Sequence, residues 1–185
     1  MITANQFKPG LTIELDGEIY VIVEYQPVKP GKGGAFTRTK LRNLRTKKTL
    51  EKTFRVEERF QEAFIEEKKM QYLYSSADSY HFMDQDTFEQ LTVEREILAG
   101  ITDYLKENTD VTIILYKNEI IEVKLPIFIE LKISHTEPGI KGDTARNSFK
   151  PATLETGATV QVPLFVNEND VIKIDTRTGS YVERA

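Results

Sequence analysis

The run Lys29-Pro30-Gly31-Lys32-Gly33-Gly34 holds the residue types in this sequence best suited to act on a partner. Pro30 fixes its own φ, and Gly31, Gly33 and Gly34 remove side chains from around one lysine. The product is a cation without bulk beside it, on a tight turn that can enter a narrow space. A phosphate-rich or RNA-lined cleft suits that shape. Lysine is also a compact charge on a flexible stem, and its amine can be covalently extended. A plain glycine-rich hairpin turn accounts for the same spacing equally well, so the run alone leaves both readings open.

Enzyme signatures fail in turn. Gly31-Lys32 is followed by Gly33 where a nucleotide-binding P-loop needs Ser or Thr, and Gln26 stands where that motif needs its first glycine. There is no G-x-S-x-G elbow and no H-E-x-x-H helix. The chain has no cysteine, which excludes disulfides, thiol catalysis and cysteine-bound zinc and is compatible with a reducing cytosol. Of its two histidines, His81 lies between Tyr80 and Phe82 in a strand pattern and reads as structural. Asp84 and Asp86 flank a turn, and turn chemistry explains them. Tyr72, Tyr74, Tyr80, Phe82 and Phe88 have the chemistry of base-stacking platforms, but on barrel strands they read first as core.

The elements around the lysine loop are β structure. Leu11, Ile13 and Leu15 alternate with polar residues, Asp16-Gly17 supplies a hairpin turn, and Ile19 to Tyr25 is a second strand. After the loop, Ala35 to Leu44 puts Arg38, Lys40 and Arg42 on one face and Thr37, Thr39 and Leu41 on the other. Arg45 to Lys48 makes a basic turn, and Thr49 to Val56 returns. Residues 28–55 carry ten cations against Glu51 alone, a local charge of +9 in a chain of net −4, which leaves −13 on the remainder. That segregation marks a polyanion-binding end on an acidic body.

Beyond this first stretch, strands are expected at Met70–Ser75, Tyr80–Asp84 and Phe88–Val93. Ile97, Leu98, Ile101, Tyr104 and Leu105 then repeat with the spacing of an amphipathic helix, stopped near Asn108. Val111–Tyr116 and Ile120–Leu125 follow around Lys117-Asn118-Glu119. Three strands, a helix and two strands is the order of an oligonucleotide/oligosaccharide-binding (OB) barrel. A third all-β stretch offers Phe128–Ser134, Thr159–Val162, Val171–Asp175 and Ser180–Val182, interrupted by a long loop over 139–150. The expected class is all-β, with domains at 1–62 (SH3-like, carrying the Lys32 loop), 63–127 (OB with one helix) and 128–185. Barrels of about 60 residues are near the lower limit for a self-supporting core, so at least the first two should pack together. At 39% hydrophobic residues, without an apolar run near the ~20 of a membrane span or a secretory signal over Met1–Gly10, a soluble cytoplasmic protein is expected.

Several motifs in order resemble the bacterial elongation factor P family over the whole chain. Val28 through Phe36, Lys40-Leu41-Arg42 and Glu51-Lys52-Thr53-Phe54 are similar to its first domain. Tyr72-Leu73-Tyr74, His81-Phe82-Met83 and Thr87-Phe88-Glu89-Gln90 are similar to its second. Lys141 through Ala145, Lys150 through Leu154, Val162-Pro163-Leu164-Phe165 and Asp175 through Val182 are similar to its third. The resemblance implies three barrels in an L, tRNA-like in outline, the third also OB-like. It implies a non-enzymatic monomeric factor that binds the 70S ribosome and its RNA between the peptidyl and exit sites at polyproline stalls. Lys32 would be the tip residue, covalently extended in many members by a dedicated lysine-modifying enzyme, with no other cofactor, no metal and no membrane. Arg38, Lys40 and Arg42 would support the acceptor arm of the peptidyl-tRNA. Gly142, Asp143 and Thr144 would approach the exit-site mRNA codon, and Tyr181 and Arg184 small-subunit RNA and tRNA. The chain departs from the family in having Asn169 where a glycine is usual, and Lys32 rather than arginine sets it apart from the arginine-rhamnosylated branch. A general single-strand RNA-binding module is the competing class, and a nucleotide-dependent enzyme the third.

Overall fold

The computed structural model describes residues 1–29, 31, 33–139 and 149–185. Its first sheet contains β1 (Ile2–Thr3), β2 (Thr12–Leu15), β3 (Glu18–Val28), β4 (Phe36–Asn43), β5 (Thr49–Arg55) and β6 (Arg59–Glu62), in the order β1-β6-β2-β3-β4-β5. The turn between β2 and β3 is the expected one. Asp16 and Gly17 both take positive φ (53° and 80°), as a two-residue hairpin loop matching strand twist requires. β4 alternates as expected: Thr37, Thr39, Leu41 and Asn43 are buried, whereas Arg38 and Arg42 are exposed. Phe7, Phe54 and Phe60 meet edge-on or tilted at 4.8–5.9 Å and fill the core with Ile13, Ile22 and Leu41. β6 was not expected, being too short to show a period.

The second sheet holds β7 (Glu66–Ser76), β8 (Ser79–Asp84), β9 (Gln90–Glu94), β10 (Asp110–Tyr116) and β11 (Glu119–Lys124), ordered β11-β10-β7-β8-β9. Tyr72, Tyr80 and Phe82 are core as expected, with Tyr72 and Phe82 5.4 Å apart. Tyr74 and Phe88 are not: they are 47% and 70% exposed. A register shift between Tyr72 and Tyr74 turns the second tyrosine outward, and Phe88 sits at φ 60° in a turn before β9 begins. The expected helix is also corrected. Two 3-10 turns, Arg95–Leu98 and Thr102–Tyr104, flank Gly100, whose φ of 86° no continuous helix accommodates. Leu98 and Leu105 still reach the core.

The third sheet comprises β12 (Phe128–Thr136), β13 (Phe149–Leu154), β14 (Thr159–Pro163), β15 (Val171–Asp175) and β16 (Ser180–Arg184), ordered β14-β13-β12-β15-β16. Leu131, Ile133, Leu154, Val162, Val166, Ile172 and Ile174 form its core. β13 was not expected because Pro151 lies inside it, and proline removes a ladder donor from a central strand. Asn169 takes φ 69°, so it adopts the backbone that the glycine usual there would permit.

Contacts divide the chain into two compact units, residues 1–67 with 114–122, and residues 68–113 with 123–185. In the first, the end of the β10–β11 hairpin packs Ile114 and Ile121 against Ile19, Leu44 and Ala63. Tyr116 Oη donates to Glu14 Oε2 at 2.9 Å, Lys117 Nζ lies 3.3 Å from the same oxygen, and Lys47 pairs with Glu122. In the second, Tyr104 packs against the third sheet's core and Lys106 pairs with Glu155 at 2.9 Å. A Cβ added at Gly179 would come within 2.4 Å of Tyr104 Oη, so that turn must stay bare. Among the described residues, no helix is long and apolar enough to cross a membrane.

Candidate nucleic-acid interface

β3 and β4 extend together until Val28 faces Phe36, with β5 paired to β4 over the same stretch, so residues 29–35 connect two paired strands at that end of the sheet. Gly33 takes φ 108°, a backbone that effectively requires glycine. Side chains added at Gly31, Gly33 or Gly34 would meet no atom within 4 Å. Packing within the barrel therefore does not demand glycine at these positions, whereas the backbone does so at Gly33. Lys29 is exposed beside them. Pro30 and Lys32 lie outside the described residues.

The outer face of β3–β5 descends from this loop. Arg38 stands opposite Gln26 and Thr53, Lys40 opposite Glu24 and Glu51, and Arg42 opposite Val21 and Thr49. Lys40 Nζ approaches Glu24 at 3.5 Å, whereas Arg38 and Arg42 make no ion pair among the described residues. A shallow groove runs between Glu24, Gln26, Arg38, Lys40, Lys52 and Thr53. Two exposed guanidiniums with a half-shielded lysine between them suit a phosphate backbone, since Arg presents a planar fork of donors to phosphate oxygens.

The cationic run does not act as one surface. Arg45 and Lys47, at the far turn, face Glu119 (3.7 Å) and Glu122 on the β10–β11 hairpin. Lys47 Nζ also donates to Leu44 O at 2.6 Å. These cations are paired within the first unit, although both side chains stay partly exposed. Counting charge along the sequence could not separate the two groups, because the acids that neutralise the turn lie more than 70 residues away.

Gly142, Asp143 and Thr144 fall within 140–148, outside the described residues. The stem around them is firmly built. Lys150, only 7% exposed, donates from Nζ to Glu137 O at 2.6 Å, and Thr136 Oγ1 donates to Pro151 O at 2.9 Å. A Cβ at Gly139 would stand 2.6 Å from Leu164 O. Lys150 was not singled out from sequence, where nothing marks it as the buried lysine. Tyr181 packs partly against the third core, and Arg184 Nη1 lies 3.8 Å from Asp170. His81 has an ordinary structural setting, its Nδ1 3.3 Å from Thr92 Oγ1. Among the described residues, no cluster of three or more His, Asp or Glu could hold a metal.

Comparison with known proteins covers nearly all of the chain. Residues 3–60 match the elongation factor P KOW-like domain, residues 65–123 the elongation factor P OB domain, and residues 129–184 the elongation factor P C-terminal domain. A curated elongation factor P from Natranaerobius thermophilus is 55% identical over 184 residues, covering 100% of this chain and 98% of its own. One from Moorella thermoacetica is 54% identical over the full length of both. Among solved structures, a eukaryotic translation initiation factor 5A from Methanococcus jannaschii superposes with TM-score 0.50 at 27% identity, covering 66% of this chain and 94% of that one. A translation initiation factor eif-5a family protein from Naegleria fowleri matches in fold, with TM-score 0.53 at 18% identity, 67% of this chain and 96% of that one.

Proposed function

This chain belongs to the elongation factor P family and is a translation factor, and from that premise we propose that it binds the ribosome beside the peptidyl-tRNA and stimulates peptide bond formation at consecutive prolines. The observation that supports this most is the sheet end where β3 meets β4: bare glycines there lead onto a face with two arginines that make no ion pair among the described residues. In this reading Lys32, bare or extended by a lysine-modifying enzyme, contacts the CCA end of the peptidyl-tRNA. Lys29, Gly31, Gly33 and Gly34 let it approach closely. Arg38, Lys40 and Arg42 grip phosphates of the acceptor arm. Gly142, Asp143 and Thr144 approach the exit-site codon, with Tyr181 and Arg184 near small-subunit RNA and tRNA.

No bond is made or broken by this protein. Proline's nitrogen lies in a constrained ring, and a nascent polyproline segment displaces the peptidyl-tRNA end from productive geometry. Correct orientation of reacting groups is worth up to ~7–11 kcal/mol in ideal intramolecular cases, so restoring part of it relieves a stall. Peptide bond formation itself remains with ribosomal RNA. The test is translation of a reporter with consecutive prolines by the Lys32→Ala protein. Loss of stimulation, with folding unchanged, is expected; undiminished stimulation would remove the assigned role. A general RNA-binding module predicts instead tight, salt-sensitive binding to free oligonucleotides. The factor predicts weak binding to them and stable binding to stalled ribosomes.

A further inference from the structure

One continuous helix over 95–106 would set Ile97, Leu98, Ile101, Tyr104 and Leu105 along a single stripe. Gly100, at φ 86°, breaks that stripe. Leu98 and Leu105 are buried outside the third sheet's core, whereas Tyr104 packs against it beside Ala158 and Tyr181. Two turns of the third sheet, distant from each other in sequence, then close on residues 102–106. At the β13–β14 turn, Thr156 Oγ1 donates to Asp103 O at 2.6 Å. Its neighbour Glu155 accepts through Oε1 from Lys106 Nζ at 2.9 Å and from the Lys132 amide at 2.8 Å. At the β15–β16 turn, Gly179 lies against the ring, since a Cβ there would stand 2.4 Å from Tyr104 Oη.

These contacts are not needed to join the two sheets covalently. The chain already crosses once, between the end of β11 at Lys124 and the start of β12 at Phe128. Thr176 secures that crossing, its amide donating to Ile127 O at 2.9 Å and its Oγ1 to Pro126 O at 2.7 Å. A single crossing leaves rotation about its backbone dihedrals, so one sheet could swivel on the other. A second attachment, made by a different element, fixes the orientation. The Lys106–Glu155 pair adds little to that by itself, because its side chains are 46% and 30% exposed. The ring on the apolar core and the Thr156 hydrogen bond carry more. Fixed orientation matters to a protein that touches one large partner at several places. Contacts presented in one geometry form together at high effective concentration, and contacts on a swivelling sheet do not.

We propose that Tyr104, Glu155 and Thr156 are positioning residues: they clasp the third sheet to residues 102–106, so that its ribosomal contacts are held in one orientation before binding. The purpose of the clasp rests on the ribosomal reading, but the clasp itself is measured without a ribosome. Amide 15N relaxation on the free full chain should give β7–β9 and β12–β16 one common correlation time. In Tyr104→Ala with Thr156→Val, β12–β16 should tumble separately and faster, while amide shifts in β12 and β15 show that the sheet stays folded. Glu155→Gln with Thr156→Val, which leaves the third core whole, should loosen it in the same direction by less. Tyr104→Phe, which keeps the ring, should match wild type. Affinity for stalled ribosomes should fall about tenfold in the Tyr104→Ala double variant and hold in Tyr104→Phe. Separate tumbling in wild type, or a common correlation time in both double variants, would overturn the clasp. Separate tumbling with undiminished ribosome affinity would overturn its positioning role. A wild-type chain that did not bind stalled ribosomes would sink the ribosomal reading and that role with it, and the tumbling result would still decide the clasp.

Discussion

The outer faces of β3–β5 and β7–β9 are the same device dressed in opposite ways. Each is antiparallel, and each carries a one-residue register shift on its first strand, at Val23 in one and Leu73 in the other. After the shift, the first face presents Glu24 and Gln26 beside Lys40 and Arg38, whereas the second presents Tyr74 beside His81 and Thr92. The sheet enforces the alternation, and the bulge chooses which residues it sends outward. Barrel type alone therefore says little about the ligand: here the KOW-like sheet has the basic face and the OB sheet an aromatic one.

The largest effect should come from reversing the basic face. Arg38 and Arg42 have no carboxylate partner among the described residues, so Arg38→Glu with Arg42→Glu removes phosphate contacts without orphaning an acid. Affinity for stalled ribosomes should fall at least ~10-fold, and the slope of log affinity against log salt should flatten by about 2, one unit for each lost contact. Tyr74→Ala should leave that slope unchanged. Equal slopes for the two variants would mean that the faces do not differ in the way their charges suggest.

A smaller contrast lies inside the basic run itself. Lys47 belongs to the same charged stretch as Arg42 but faces Glu122, whose side chain is 15% exposed and whose Oε2 has no hydrogen-bond partner among the described residues. Lys47→Ala leaves that carboxylate without its cation, at a cost of about 1–3 kcal/mol in urea unfolding. Ribosome affinity at saturating folded protein should change less than in Arg42→Ala. The opposite ranking would place the β4–β5 turn in the binding face.

These contrasts show which parts of the molecule local chemistry made legible. Asp16-Gly17 and the alternation of Arg38, Lys40 and Arg42 could be read because a two-residue turn and a period of two are short-range patterns. Tyr74 was misread for the same reason: a bulge is set by pairing with another strand and leaves the period-two pattern intact. The 95–105 segment kept a helix-like spacing of apolar residues while Gly100 broke the helix, so its buried side was legible and its backbone was not. β13 hid behind Pro151. The partners of Arg45 and Lys47 lie far along the chain, and only the folded hairpin brings them near. The 29–34 loop was singled out by its family motif, since bare glycines around a lysine carry no signal that distinguishes a tip from a turn.

Arg177 offers the finest test of the rule that exposure and positive charge alone do not make a binding face. It is exposed, but its guanidinium grips Asp175 in a fork, with Nε donating at 3.0 Å and Nη2 at 2.6 Å. That contact, aided by the Arg177 and Thr178 backbone amides, holds the Asp175 carboxyl down to about 2 from its ordinary 3.8. Because the folded value lies below the unfolded one, the associated stability is present above about pH 4 and is lost as the pH falls towards 2. In Arg177→Ala the carboxyl should titrate nearer its ordinary value, followed by side-chain carboxyl shifts in an NMR titration, and acid unfolding should become less dependent on pH over that window. Ribosome affinity and its salt slope should not move, because this cation is already spoken for. A flattened slope would show that a paired guanidinium can still serve phosphate, and the distinction between Arg38 and Arg177 would have to rest on position rather than on pairing.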